Sequence, residues 1–184
     1  MSRIQPKVYQ LKTGQTIIIR SASPADAQGV LRLAHAEIAE SEFSITTPEE
    51  FHPTIEQEVE WIQSHTNDAG RVIIVAETDG QLIGLLNFQN SYRKRLAHQG
   101  EFGIGVRKEW RNQGVGRVLL QTLIAWGEAN PIIEKLCLEV FSNNERAIHL
   151  YSSLGFQVEG RLARQVKMDQ GKYLDLITMG RFVK

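Results

Sequence analysis

The sequence predicts a single α/β domain built on a mixed, mostly antiparallel sheet flanked by helices. Three observations carry that prediction. Strand-like and helix-like stretches follow one another as one strand, two helices, three strands, a helix, a strand, a helix and two strands, with no repeat, linker or low-complexity segment among them. Asp79-Gly80 stands between two apolar runs, the strongest short hairpin signal, which makes the middle strands antiparallel neighbours. A length of 184 residues at 42% hydrophobic suffices for one substantial core. The domain is expected over residues 15–184, with residues 1–14, which have a poor core pattern, as a loosely held N-terminal extension.

Thr16-Ile17-Ile18-Ile19-Arg20 is β-branched enough for the first strand. Ser23-Pro24-Ala25-Asp26 then opens a helix: Ser23 caps, Pro24 fits the first helical position, Asp26 suits the positive end, and Ala27, Val30, Ala34 and Ile38 recur at helical spacing to about Glu40. Thr47-Pro48-Glu49-Glu50 and Thr54-Ile55-Glu56-Gln57 both have the capping-box pattern, and Ile55, Val59 and Ile62 mark a second helix ending near His65. Between the helices, Glu42-Phe43-Ser44-Ile45 is acidic and aromatic, either solvated filler or the wall of a substrate site. Residues 72–76 and 82–86 are the arms of the hairpin, and a third strand, 101–106, follows the polar bend Ser91-Tyr92-Arg93-Lys94-Arg95.

From Gly114 a helix shows Val115, Val118, Leu119, Thr122, Leu123 and Trp126 on one face and ends at Gly127 or soon after, before Pro131. Residues 135–141 read as a strand. Ser142-Asn143-Asn144-Glu145 is a further capping box, opening a short helix with Ala147, Leu150, Tyr151 and Leu154 inward and Gly155 at its end. Residues 156–164 and 171–181 close the chain as two strands around the turn Met168-Asp169-Gln170-Gly171.

Composition removes several function classes. The chain has 21 basic and 21 acidic residues, so no field of one sign points to nucleic acid or a membrane surface. No apolar run is long enough for a span, the N-terminus lacks the apolar core of a signal peptide, and one cysteine cannot form an internal disulfide; a cytoplasmic protein is expected. Cys137, between Leu136 and Leu138, reads as a small core hydrophobe. The five histidines and Cys137 show no metal-ligand spacing, so no metal is implied.

The stretch from Glu101 to Gly116, EFGIGVRKEWRNQGVG, carries the chemistry. Two glycines inside a strand, Gly103 and Gly105, mark a bulge or a close approach by another group. Arg111-Asn112-Gln113-Gly114-Val115-Gly116 then runs straight into a helix, where unpaired backbone N–H groups and the helix dipole favour an anion, glycine lets a phosphate approach closely, and Arg111 adds a planar donor fork. Neither the P-loop nor the dinucleotide-binding glycine pattern fits these residues.

Val106 followed by Arg111-x-x-Gly114-x-Gly116, then Asn144-x-x-Ala147-Ile148-x-x-Tyr151-x-x-x-Gly155-Phe156 one helix and one strand later, resembles the GNAT superfamily of N-acetyltransferases. The stretch from Arg146 to Arg161 is similar to the spermidine and ribosomal-protein acetyltransferase branches. The resemblance implies a splayed sheet, acetyl-CoA as co-substrate, and transfer of its acetyl group to a primary amine in a ternary complex. The diphosphate would lie on the N–H groups of Gln113, Gly114, Val115 and Gly116, within the Arg111 to Gly116 loop that includes Asn112. The pantetheine would pair with the strand at Ile104, Gly105 and Val106, with Asn144 on its other side. An N–H of Ile104 or Val106 would stabilise the oxyanion, Glu101 would accept the amine proton through a water, and Tyr151 would protonate the leaving thiol. Glu42 and Phe43 are candidate acceptor contacts. The acceptor is a small amine, a polyamine or a protein N-terminus; a homodimer is compatible with the resemblance. An acyl-CoA-binding regulatory domain with little catalysis is the alternative reading.

Overall fold

The computed structural model describes residues 3–168 and 171–184. Its strands are β1 (Lys7–Gln10), β2 (Thr16–Ser21), β3 (Arg71–Thr78), β4 (Gln81–Asn90), β5 (Gln99–Val106), β6 (Lys135–Phe141), β7 (Gln157–Lys167) and β8 (Tyr173–Phe182). They form one eight-stranded sheet in the order β1-β2-β3-β4-β5-β6-β8-β7. Four α-helices flank it: α1 (Ala27–Glu40), α2 (Ile55–Thr66), α3 (Val115–Ala129) and α4 (Glu145–Ser153). Every neighbouring pair is antiparallel except β5 and β6, which the α3 crossover joins in parallel.

Local chemistry accounts for most element ends. Asp79 and Gly80 both have positive φ (48° and 74°), as the two-residue turn between β3 and β4 requires. Ser23 donates its N–H to Asp26 (2.7 Å), and Arg20 joins Asp26 (2.7 Å) and Glu77 (2.6 Å), which fastens the start of α1 to β2 and β3. Thr54 and Gln57 form the expected reciprocal cap. α4 ends in a full Schellman arrangement: Gly155 at φ 85°, its N–H donating to Ser152 O, and the Phe156 N–H to Tyr151 O.

Three expectations need correction. Within residues 1–14, Lys7–Gln10 is an edge strand paired with Thr16–Ile19, and the adjoining Leu11 is buried. An edge strand packs along one side only, so its apolar pattern is weak. The Thr47–Glu50 box forms half its bonds, Thr47 N–H to Glu50 Oε2 at 2.9 Å, yet no helix follows, because Pro53 holds His52 out of helical geometry. α4 is capped by Asn144, whose Oδ1 accepts from Ala147 N at 3.2 Å, rather than by Ser142, whose N–H instead donates to Asp175 O. Of the closing turn, Asp169 and Gln170 lie outside the described residues.

The sheet separates two apolar clusters. One contains α3 and α4 side chains on Ile74, Leu86, Phe88 and Phe102; the other contains α1 and α2 side chains on Ile73, Val75 and the half-buried Leu85. Alternation along the strands therefore turns Phe102, Ile104 and Val106 of β5 towards α3 and α4, and Glu101, Gly103 and Gly105 towards α1.

Candidate active site

β5 and β6 pair only over Gln99–Glu101 and Lys135–Cys137. Beyond Glu101 and Cys137 they diverge, and the gap opens into a cleft of roughly 1170 Å³ lined by residues 102–106 on one side and 139–141 on the other. Arg107 N–H donates to Ile83 O of β4. By alternation the N–H and C=O groups of Gly103 and Gly105 also face β4, whereas those of Ile104 and Val106 face the gap. These are the backbone groups a strand-like ligand would pair with.

At one end of the cleft the loop before α3 forms an anion cradle. Asn112 (φ 64°) and Gly114 (φ 100°) are left-handed on either side of Gln113, a geometry that gathers successive N–H groups, and Gly114 caps α3 without a side-chain bond to its first turn. A Cβ at Gly114 would meet nothing within 4 Å, so the loop is open to a ligand there. Arg111 Nε donates to Val106 O at 2.9 Å, and Gln113 Nε2 to Glu109 O at 2.6 Å; both brace the loop. Arg111 thus ties the cradle to the strand edge as well as supplying charge. Arg117 bonds Ser153 Oγ at 2.8 Å and joins α3 to α4 along the cleft.

Tyr151 on α4 is 7% exposed and packs edge-on against Phe102 and Phe156. Among the described residues its hydroxyl has no hydrogen-bond partner, and the residue lines the cleft. Burial, and then the charge of Glu37, push its pKa up to about 12. Asn144 also lines the cleft; capping occupies its Oδ1, which leaves its NH2 as a donor. Glu42 and Phe43 are on the wall too, Phe43 against Phe141 of β6 with ring centroids 5.9 Å apart.

Glu101 is not brought in. It is exposed, opposite Cys137 in the last paired position of β5 and β6, and it does not line the cleft. Of the carboxylates that line the cleft, Glu37 of α1 is the one that lies against β5 at Gly105. A Cβ on Gly105 would collide with its Oε2, and one on Gly103 would stand 3.0 Å from Asn87 Oδ1. Those two contacts are the close approach that the strand glycines signal. Burial raises the Glu37 carboxyl above its ordinary range, and the Arg111 charge offsets part of that rise. Sequence spacing missed this role because Glu37 is one acid among several on a helix, and only the long-range contact with Gly105 singles it out. Cys137 is half-buried rather than part of the core.

A splayed sheet with an anion cradle at the start of α3 and a lone tyrosine hydroxyl at the gap defines an acyl-CoA-dependent acyltransferase architecture. A family model described as the acetyltransferase (GNAT) family matches residues 34–156, and the chain belongs to that family. It is 30% identical over 165 residues to an L-amino acid N-acetyltransferase of Escherichia coli, covering 90% of this chain and 97% of that protein. It is also 30% identical over 115 residues to a spermidine N(1)-acetyltransferase of Escherichia coli, covering 62% of this chain and 60% of that protein. The crystal structure of a GNAT-family acetyltransferase from Streptococcus pneumoniae superposes with a TM-score of 0.88 at 29% identity, covering 90% of this chain and 99% of that one. No helix among the described residues is long and apolar enough to cross a membrane.

Proposed function

We propose that the chain acetylates a primary amine with acetyl-CoA by direct attack, with Glu37 as proton acceptor and Tyr151 as proton donor. The observation that carries this reading is that the Glu37 carboxylate and the Tyr151 ring line one gap from opposite faces of the sheet. Acetyl-CoA fits the residues present: the cradle at Asn112 to Gly116 suits a diphosphate, the gap-facing groups of Ile104 and Val106 suit an amide-bearing arm, and Asn144 offers a donor across the gap. What it supplies is an activated thioester.

The neutral amine nitrogen forms its bond to the thioester carbon while Glu37 takes the proton that the nitrogen releases. An N–H of Ile104 or Val106 donates to the developing oxyanion, the carbon–sulfur bond breaks as Tyr151 gives its proton to the departing sulfur, and the proton held on Glu37 is returned through water to Tyr151. The two acid–base groups are coupled. With Glu37 ionised, Tyr151 is a poor acid near 12. Once Glu37 is protonated that charge is gone, and the phenol becomes more acidic when the thiolate, at about 8.5 by analogy with cysteine, needs its proton. The non-catalytic alternative is not favoured, since it leaves both groups without a task.

The test is a panel of amines with acetyl-CoA, reading free thiol, on wild type and Glu37→Gln. Wild type releases thiol in an amine-dependent manner, and the variant loses about 10² to 10⁴ in kcat/KM. The wild-type rate falls as pH drops through the raised Glu37 pKa, because protonation removes the base, and the residual rate of Glu37→Gln lacks that acidic limb. A variant with wild-type rate and limb would assign the base elsewhere.

A further inference from the structure

On the α1 face of β5, Gly103 and Gly105 each let one polar group from another element lie across the strand. Over Gly105 that group is the Glu37 carboxylate, and over Gly103 it is Asn87, the register partner of that glycine on β4. Only two Asn87 atoms come within 4 Å of where a Gly103 Cβ would stand, Oδ1 at 3.0 Å and Cγ at 3.9 Å. The oxygen therefore leads over β5 towards the gap, and the NH2 group trails behind it. Asn87 is half-buried and lines the cleft, and among the described residues its side chain makes no hydrogen bond. An amide oxygen aimed unpaired into a cleft has a ligand's N–H as its natural partner. The two glycine positions are neighbours on one face of the strand, about 7 Å apart, an interval that two leaning side chains close around one nitrogen. Asn87 is also neutral, so it accepts a hydrogen bond without competing with Glu37 for the proton.

Resting on the acetyl-transfer reading, we infer that Asn87 is a specificity-determining residue that recognises the second N–H of a primary amine. The attacking nitrogen has four directions to satisfy. Its lone pair faces the thioester carbon, its carbon substituent leads out of the cleft, one N–H faces Glu37, and the other donates to Asn87 Oδ1. As the nitrogen bonds to the thioester carbon, the proton facing Glu37 leaves, while the one on Asn87 stays and becomes the N–H of the product amide. An N-methylated amine has a single N–H. With that proton at Glu37, the methyl group falls on Asn87 Oδ1, which loses its partner and meets an apolar group instead. Asn87 thus selects against secondary amines, whatever charge or shape the rest of the acceptor has.

The test compares n-pentylamine with N-methylpentylamine, two amines of similar basicity, with acetyl-CoA at one pH above the acidic limb, reading free thiol. Wild type should favour the primary amine by about tenfold or more in kcat/KM. Asn87→Leu keeps the bulk of the side chain and removes the oxygen, so the primary amine should lose about tenfold and the methylated amine much less, bringing the ratio towards one. Asn87→Ala, which cannot overfill the site, carries the same expectation and covers a loss of folding in the Leu variant. Asn87→Asp puts an acceptor oxygen back in the same place and should restore the preference for the primary amine. A merely structural Asn87 would change both amines by one factor and leave the ratio alone. An unchanged ratio in the Leu and Ala variants, or a lost preference in Asn87→Asp, overturns this role while acetyl transfer stands. Absence of thiol release from wild type with both amines, and with the wider panel, overturns acetyl transfer and this inference together.

Discussion

The two faces of the sheet at the β5–β6 gap are built by different means. On the α3 and α4 face the site is mostly backbone: left-handed Asn112 and Gly114, the unpaired first turn of α3, and the gap-facing groups of Ile104 and Val106. On the α1 and α2 face it is side chain: Glu37 against Gly105, Asn87 against Gly103, Phe43 against Phe141. A backbone site is specified by a few contiguous residues and tolerates little change. A side-chain site is assembled from four separate elements, and each contributor can be exchanged without disturbing the fold. The first face suits a ligand common to a family; the second suits one that varies within it.

The same contrast explains what the sequence discloses. Arg111 to Gly116 and Asn144 to Phe156 are short runs whose spacing has a local physical meaning, so the cradle, the cap and the Tyr151 face are legible before any contact is known. The hairpin at Asp79-Gly80 and the strand Lys135–Phe141 are legible for the same reason. Glu37 is not, since nothing within a turn of it differs from a solvated acid; its distinction comes from Gly105, 68 positions later in the chain. β1 is hidden by being an edge strand, and the Thr47–Glu50 box misleads because the proline that stops it lies beyond the motif.

The largest effect that tests this contrast is expected on the boundary between the faces. Tyr151→Phe keeps the ring against Phe102 and Phe156 and removes the hydroxyl alone. kcat should fall by about 10² or more with acetyl-CoA binding retained, as read by single-turnover kinetics and thermal shift. Near-wild-type kcat would make Tyr151 a packing residue.

A smaller, more selective effect should follow on the backbone face. At Gly116 a Cβ would meet only ordinary contacts, Leu150 at 3.7 Å and Ile104 at 3.9 Å, so the fold accepts one. The branches of Val in Gly116→Val would add bulk to the cleft lining beside the cradle, between α3 and the side chains of Leu150, Ile104 and Val106. Wild type at one hundred times the dissociation constant of CoA should gain about 2.7 kcal/mol of stability; the variant should keep its unliganded melting temperature within a few degrees and lose that gain. A retained shift would move the diphosphate to another part of the cleft.

The smallest effect is expected at Glu101, and it decides between the two carboxylates. Glu101 belongs to the same strand as Ile104 and points to the same face as Gly105, so by spacing alone it is as good a base as any. Its position differs: it stands where β5 still pairs with β6, exposed and below the point of divergence, while Glu37 sits in the gap with its carboxyl raised by burial. A base must lie within hydrogen-bond reach of the proton or one water away from it. Glu101→Gln should therefore keep kcat/KM within about twofold of wild type and keep the acidic limb of the rate, because that limb belongs to Glu37. If Glu101→Gln instead removed the limb and Glu37→Gln left it, a water chain along β5 would have to connect the amine to Glu101, and the side-chain face would serve only to hold the acceptor.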